Sequence, residues 1–348
     1  MVATPKILVL RFSALGDVAM TIPVLWSLKN QHPNSDILFV SQPFAVDLIK
    51  PIKGISFFGV NFKTEFKGFL GIIKLFVALR KLGPFNLVAD LHGVIRSRII
   101  TFLFRIIGTK TITINKGRKD KRGLTRKTNK VFRQLETTFE RYRKVFEKGG
   151  YHFDLLSFPG KSIYATDNKL AHKALSIQGI KIGIAPFAKH KWKMWPEDSM
   201  RSVTELLAKR GIQIFLFGGK GKEQELLTAW AGESANVHNL AGSLSLGEEL
   251  KIIAELDLMI SMDSANMHLA SLVETPVISI WGATHLFAGF YGWNQPSEYA
   301  VQADISCRPC SVYGNKVCYR GDFVCMMLIT DAMVMAAIDK VLSKNKKS

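Results

Sequence analysis

Four short stretches of this chain hold side chains that could do chemistry together. The first is "RFSALGDVAM" (11–20), a Ser/Gly turn after an apolar run, closed by a carboxylate at Asp17. A phosphate-cradling turn does not want a carboxylate, so Asp17 reads either as a helix N-cap or as a base. The second is "SMDSANMHLA" (261–270), a strand end followed by a helix start. First-turn amides at Ser264, Ala265 and Asn266, with the helix dipole, suit a diphosphate. His268 falls on the same helix face as Ser264. The plainer alternative is an N-cap at Asp263 or Ser264 and a core histidine. The third is "APFAKHKWKMWPEDS" (185–199), where Lys189, Lys191 and Lys193 alternate with apolar residues before a helix around Pro196. Lysines here reach phosphate oxygens as point charges, or they line a solvated loop. Trp192 and Trp195 speak against a loose loop, because large aromatics usually pack. The fourth is "FGGKGKEQE" (217–225), where Glu223 or Glu225 could hold ribose hydroxyls or simply stabilise a first helical turn. It matches neither the P-loop nor the G-x-G-x-x-G pattern, and no such fingerprint follows the first strand. That argues against a P-loop NTPase and a standard dinucleotide dehydrogenase.

The four cysteines, Cys307, Cys310, Cys318 and Cys325, are spaced C-x2-C-x7-C-x6-C. Structural zinc is one reading; reduced packing or occasional disulfides is the other, since the second pair lacks the tight spacing of a ribbon. No Ser-His-Asp order and no H-E-x-x-H motif is present.

These residues must be positioned by elements, and the pattern predicts which. Apolar runs at 6–12, 36–42 and 85–93 read as strands, the last ending in Asp90 and His92. Helices are expected over 17–31, 68–83 and 94–108, the last two apolar on one side and basic on the other. The alternation lapses through the basic segment and 150–180, then restarts with strands at 180–187, 212–219, 256–261 and 276–282. Helices are expected at 196–211, after 219, at 264–273 and at about 330–343. Alternation of this kind predicts an α/β protein with parallel sheets and crossover helices. At 348 residues the chain is long for one core and suits two domains. The expected domains are 1–170 and 171–348, with the last helix free to pack back on the first. Two doubly wound domains facing a shared cleft would bind ligands outside the carboxyl ends of the strands.

The net charge of +19 implies an anionic partner. Between Lys116 and Lys148 stand 13 Lys or Arg against 4 Asp or Glu. Nucleic acid is not expected, because the stretch has no recognition motif and little aromatic interleaving. No uninterrupted apolar run reaches the length of a membrane span, and Arg11 breaks the first apolar run, so a signal peptide is not expected and the cytoplasm is the default.

Together, "ILVLRFSALGDVAMTIPVLWSLK", the loop ending in "KMWPED", "LFGGKGKE" and "DSANMHLASLVETPVISIWGAT" resemble the ADP-heptose:lipopolysaccharide heptosyltransferases, glycosyltransferase family nine. The resemblance runs from Lys6 to the cysteine-rich segment. It implies the GT-B fold, two Rossmann-like domains around a cleft, with an N-terminal acceptor domain and a C-terminal nucleotide-sugar domain. It also implies inverting transfer of a heptose from ADP-heptose to a lipopolysaccharide inner-core acceptor, with no cofactor and no DxD-bound metal. Residue by residue, it makes Asp17 the catalytic base and Lys193 the phosphate-binding lysine. Glu223 would contact the nucleotide and Asp263 the donor sugar, while Ser264 and Ala265 supply amides beside His268. Lys189 would be a further donor-side cation, and Ser13, Gly16, His92 and Arg96 stand on the acceptor side. Two departures are Ala188-Lys189, where family members often carry Thr, and Ala265, where the pattern is D-[ST]-G. The implied acceptor is an anionic glycolipid at the cytoplasmic face of the inner membrane. The basic segment and the apolar-basic helices are expected to favour that surface. A GT-B enzyme with a different nucleotide sugar, and a non-catalytic binder of anionic glycan, are the alternatives.

Overall fold

Apolar runs bounded by turns become the strands of two all-parallel sheets in this computed structural model, in which residues 4–165 and 176–345 are described. The expected boundary at 170–171 lies outside the described residues. Contacts divide the chain into two units. One comprises the residues up to Arg118 together with Glu136–Phe158; the other comprises Lys119–Leu135 and the chain from Pro159 onward.

The first unit runs β1 (Lys6–Leu10), α1 (Leu15–Ala19), α2 (Thr21–Gln31), β2 (Asp36–Ser41), α3 (Val46–Ile49), β3 (Ile55–Gly59), α4 (Gly68–Lys81), β4 (Leu87–Asp90), α5 (Ile95–Ile106) and β5 (Lys110–Thr113). After α6 (Arg118–Leu124), which belongs to the second unit from Lys119 on, α7 (Thr138–Gly149) completes it. The strand order is β3-β2-β1-β4-β5, so the direction of winding reverses between β1 and β4. Leu10 lies opposite both Val40 and Asp90 in the register. One face of the sheet, with Leu8, Leu10, Val40 and Val88, is closed by Leu75 and Leu79 of α4 and by Ile100 and Phe104 of α5.

The second unit runs α8 (Gly160–Tyr164), β6 (Lys181–Ala185), α9 (Glu197–Lys209), β7 (Gln213–Leu216), α10 (Lys222–Ala231), β8 (Val237–Asn239), α11 (Leu246–Ala254), β9 (Leu258–Met262), α12 (Ala265–Leu272), β10 (Val277–Trp281), β11 (Ala300–Gln302), α13 (Val324–Met327) and α14 (Asp331–Asn345). Its strand order, β11-β10-β9-β6-β7-β8, reverses between β6 and β9. Helix α14 packs on α9 and on β9, β10 and β11.

The central strands are fully buried, as continuous apolar runs demand in a parallel sheet covered on both faces. The edge strands β3, β5, β8 and β11 have no counterpart in the sequence reading. They are short and mixed, such as "KTIT" and "VHN", because an edge strand buries less. The helix expected from Asp17 begins earlier, at Leu15, and is broken at Met20 into α1 and α2. Pro23 is the third residue of α2, where its missing N–H falls among donors that lack a helical partner anyway. The expected lapse in the basic segment is also corrected. Thr137 Oγ1 accepts from Glu140 N at 3.2 Å to cap α7, and Gly150, at φ +104°, ends it. Three of the four cations of α7 are paired within it or just before it: Arg141 and Lys144 with Glu136, and Arg143 with Glu140 and Glu147.

Candidate functional site

Open parallel sheets bind ligands where the winding reverses, outside the carboxyl ends of the two central strands. In the first unit those strands are β1 and β4. The chain leaving β1 carries Arg11, which is 7% exposed. A buried guanidinium must be paired, and this one is. Its Nη1 donates to Leu91 O at 2.8 Å, and its Nη2 meets Asp17 Oδ2 at 2.5 Å. The Tyr142 ring from α7 lies 5.9 Å from the guanidinium carbon, and the Tyr142 hydroxyl donates to Asp17 O at 3.3 Å. Asp17 also takes a long hydrogen bond on Oδ2 from Ala14 N, 3.4 Å. Both contacts engage Oδ2 rather than Oδ1, and the side chain is 41% exposed. Asp17 is thus a carboxylate held by a buried arginine, more than a bare cap.

At the end of β4, Asp90 is spent on shaping the turn. Its Oδ1 accepts from His92 N and Gly93 N, at 2.9 and 2.8 Å, and its Oδ2 from Ser97 Oγ at 2.9 Å. Burial raises its pKa, and these hydrogen bonds oppose the rise. Burial, helped by Arg11 and Lys116, pushes His92 down to about 3, so its imidazole is neutral. Phe12 N points at His92 Nδ1 from 3.4 Å, which favours the tautomer with the proton on Nε2. Burial, then Arg11 and Arg118, lower the Lys116 ammonium, and Asp90 and Asp17 oppose that shift. Gly16 is buried and Ser13 half-buried beside this cluster. Arg96 is exposed, its guanidinium 4.9 Å from the Phe62 ring centre. The structure therefore gathers Asp17 and His92 and adds Arg11 and Lys116, which the sequence reading did not place in a site. The available signal was an arginine ending an apolar strand, a position where a charge needs a partner.

In the second unit the reversal falls between β6 and β9. The loop after β6 turns at Lys191–Lys193 and is anchored by Trp195, whose Nε1 donates to Ile329 O at 3.0 Å, while Trp192 packs edge-on to Phe323. Lys193 Nζ meets Asp263 Oδ2 at 2.9 Å, and Thr284 Oγ1 donates to the same oxygen at 2.7 Å. Asp263 is almost fully buried and Lys193 mostly so. Ser264 holds the N-cap position of α12, but its hydroxyl bonds Ser261 Oγ at 3.1 Å and caps nothing. The N-cap alternative thus finds no side-chain cap, and the first amides of α12 stay open to a ligand at half-exposed Ser264, Ala265 and Asn266. His268 is buried inside α12. Glu223 Oε2 accepts from Gly219 N at 2.7 Å and closes the Gly-rich turn before α10. Lys189 is exposed.

Three supports of this half were not in the sequence reading of the site. Thr284 bridges to Asp263. Arg308 is buried and donates to Gly282 O, Ala303 O, Thr284 O and Gln302 Oε1, so it ties the segment after β11 to the end of β10. Gly314, at φ +69°, lies so close to Lys193 that a Cβ there would stand 2.2 Å from Lys193 Cγ. The four cysteines are free thiols near this segment, and burial pushes Cys325 up to about 11. Among the described residues no group of three or more His, Cys, Asp and Glu side chains is arranged to hold a metal ion, so the zinc reading finds no site here.

Comparison with known proteins gives the family and the fold. The profile of "Glycosyltransferase family 9 (heptosyltransferase)" matches residues 72–319. The chain is 27% identical over 303 residues to lipopolysaccharide heptosyltransferase 3 of Escherichia coli K12, covering 82% of this chain and 84% of that one. Among solved structures it is similar to E. coli heptosyltransferase WaaC with ADP, with TM-score 0.69 and 19% identity over 97% of this chain and 99% of that one. It is also similar to a family 9 glycosyl transferase from Veillonella parvula, with TM-score 0.73 and 18% identity over 99% of both chains.

Proposed function

The chain belongs to glycosyltransferase family 9, the heptosyltransferases, with the GT-B fold, and from that premise we propose that it transfers a heptose from ADP-heptose to an inner-core sugar of a lipopolysaccharide precursor, with inversion at the anomeric carbon. The observation that carries this reading is the held, half-exposed carboxylate of Asp17 at the reversal point of the first sheet.

A sugar hydroxyl is a poor nucleophile near neutral pH and must lose its proton as the new glycosidic bond forms. Asp17 Oδ1 takes that proton as general base, while Arg11 fixes the other oxygen and keeps the carboxylate aimed. Neutral His92 offers its Nε2–H to the acceptor, and Lys116 and Arg96 supply positive charge for an anionic sugar. Ser13 and Gly16 shape the turn beneath it.

The leaving nucleoside diphosphate gains negative charge as the bond to the anomeric carbon breaks. Lys193 and the open amides of Ser264 and Ala265 oppose that charge, and the amides, fixed in the backbone, do so without reorganisation. Lys193 is held on Asp263 before the donor arrives. Binding lets the lysine turn to phosphate and frees Asp263, still bonded to Thr284, to meet the sugar hydroxyls. Glu223 contacts the ribose, Lys189 adds charge from the rim, and His268 braces the start of α12. The acceptor is an anionic glycolipid, and the protein works peripherally at the cytoplasmic face of the inner membrane. No helix among the described residues is long and apolar enough to cross a membrane.

The test is a panel of nucleotide sugars incubated with the protein and extracted lipopolysaccharide precursor, with products read by mass spectrometry. A mass increase of one heptose from the ADP-linked donor is expected. Transfer from a UDP- or GDP-linked sugar instead would replace the donor assignment, and hydrolysis without transfer would remove the acceptor assignment.

A further inference from the structure

Helices α4 and α5 lie side by side in the first unit and close one face of its sheet. Their inward stripes are ordinary core: Ile72, Leu75, Phe76 and Leu79 on α4, and Ile100 and Phe104 on α5. Their outward stripes are not ordinary surface. On α4, Leu70, Lys74, Val77 and Lys81 recur at helical spacing, with Phe69 and Arg80 beside them, and all are exposed. On α5, the exposed stripe is Ile95, Arg98, Phe102, Arg105 and Ile106. Leu70 and Ile95, at 82% and 78%, are the most exposed large apolar side chains among the described residues. Single exposed apolar residues are common, but six on two neighbouring helices form a patch, and a patch of this kind marks an interaction surface.

The charges around the patch select its partner. From Lys67 to Ile107 there are seven Lys or Arg and one acid, Asp90, which is buried in the turn after β4. Lys74 reaches Glu65 at 3.6 Å in an exposed pair, and no other ion pair forms on these stripes among the described residues. On α7, by contrast, Arg141, Arg143 and Lys144 are matched by Glu136, Glu140 and Glu147. Unmatched cations interleaved with bulky apolar side chains on a helix surface fit the interface of an anionic bilayer. There the apolar groups enter the acyl boundary and the cations meet headgroup phosphates.

Polarity along the helices adds direction. Both α4 and α5 follow a strand, so their first turns stand at the carboxyl-end edge of the sheet, the edge that carries Asp17 and His92. Phe69, Leu70 and Ile95 belong to those first turns.

We infer that the outward stripes of α4 and α5 form a membrane-docking face that seats the first unit on an anionic bilayer, the end with Phe69, Leu70 and Ile95 lying at the Asp17 edge of the sheet. For its purpose this rests on the lipid-linked acceptor proposed above; for its evidence it rests on the two helices alone.

The experiment is co-sedimentation of the full chain with phosphatidylcholine vesicles, with and without phosphatidylglycerol, at low and high salt. Wild type should partition at least tenfold more strongly onto the anionic vesicles, and high salt should weaken this. Two variants separate the forces: Leu70→Ser/Phe102→Ser/Ile106→Ser removes apolar insertion, and Arg98→Glu/Arg105→Glu reverses charge. Each should lower partitioning at least fivefold with the thermal shift by ADP unchanged, which shows that the second unit is folded. Far-UV circular dichroism and melting checks the first unit. Equal partitioning of wild type onto both vesicles overturns the inference, as does loss in the charge variant with none in the apolar one. Conversion of a dimer to a monomer by the apolar variant, without change in partitioning, assigns the face to a second copy of the chain and also overturns it. The assay needs neither donor nor acceptor, so failed transfer in the nucleotide-sugar panel leaves its outcome intact.

Discussion

Arg11 and Asp17 are joined through one oxygen: Nη2 of a buried guanidinium meets Oδ2 at 2.5 Å, and the carboxylate's other oxygen is left outside the pair. The arginine is fixed from behind by Leu91 O. A carboxylate held in this way loses less orientation when a ligand arrives, which is where positioned groups gain their advantage. Arg11→Met should lower turnover about 10- to 100-fold with donor affinity unchanged. Asp17 stays solvated, so the stability loss should come mainly from the unsatisfied Leu91 carbonyl, about 1–2 kcal/mol by urea unfolding.

Asp17→Asn keeps the shape of the turn and removes the proton acceptor. Transfer should fall about 10²- to 10⁴-fold, the range of a general base, while the ADP-induced thermal shift stays within error of wild type. Residual turnover above a tenth of wild type would sink the base assignment.

Lys193→Met should weaken ADP binding and also destabilise the second unit. It leaves Asp263 buried with only Thr284 as partner, a loss of about 3 kcal/mol on the scale of broken buried pairs. Adding Asp263→Asn should restore most of the stability but none of the ADP affinity. Calorimetric titration and urea unfolding of the two variants separate the two effects.

Gly314→Ala tests the backing of Lys193 without touching a charge. The residue sits at φ +69°, and the new Cβ would collide with the lysine side chain. ADP affinity should drop about tenfold, with a stability cost of about 1–2 kcal/mol from backbone strain.

Three groups shifted by burial, His285 buried and His92 and Glu249 half-buried, set opposing pH dependences. His92 titrates near 3 when folded and near 6.5 when unfolded, and His285 is likewise lowered to about 4. Below about 6.5 the unfolded chain binds protons that the folded chain refuses, so stability falls as pH drops. The loss is about 1.4 kcal/mol per pH unit for each histidine, until its folded pKa is reached. Glu249 acts in the other direction, since burial raises it from 4.5 to about 7. Its share of stability is present below 4.5 and is lost as pH rises through 7. Glu249→Gln should therefore match wild type near pH 5 and exceed it by about 2–3 kcal/mol at pH 8, read as the difference between two urea titrations.

Legibility in the sequence followed burial. Strands covered on both faces, β1, β4, β6, β9 and β10, must be continuous apolar runs, so they stood out, and with them the residues that follow each strand. That was enough to mark Asp17, Lys193 and Asp263–Ser264 as the places to look. The edge strands were silent because they bury too little to constrain composition. α7 was silent because its charges mask an apolar face that includes Phe139, Tyr142, Val145 and Phe146.

By itself, the sequence determined two α/β units, which strand ends carry polar chemistry, and the family to which those motifs belong. Only the tertiary structure decided which partners each polar residue meets. Strand order made β1 next to β4, and β6 next to β9, so that Asp17 shares a floor with His92 and Lys193 meets Asp263 across 70 positions of chain. The same folding spent Asp90 on a turn, tied one oxygen of Glu223 to a Gly-rich loop, and brought in Arg11, Thr284, Arg308 and Gly314 as supports. The physical reason is that a charged or polar side chain declares its type in sequence but acquires its role from its partners. In a parallel sheet, partners are chosen by crossover connections between strands distant in the chain.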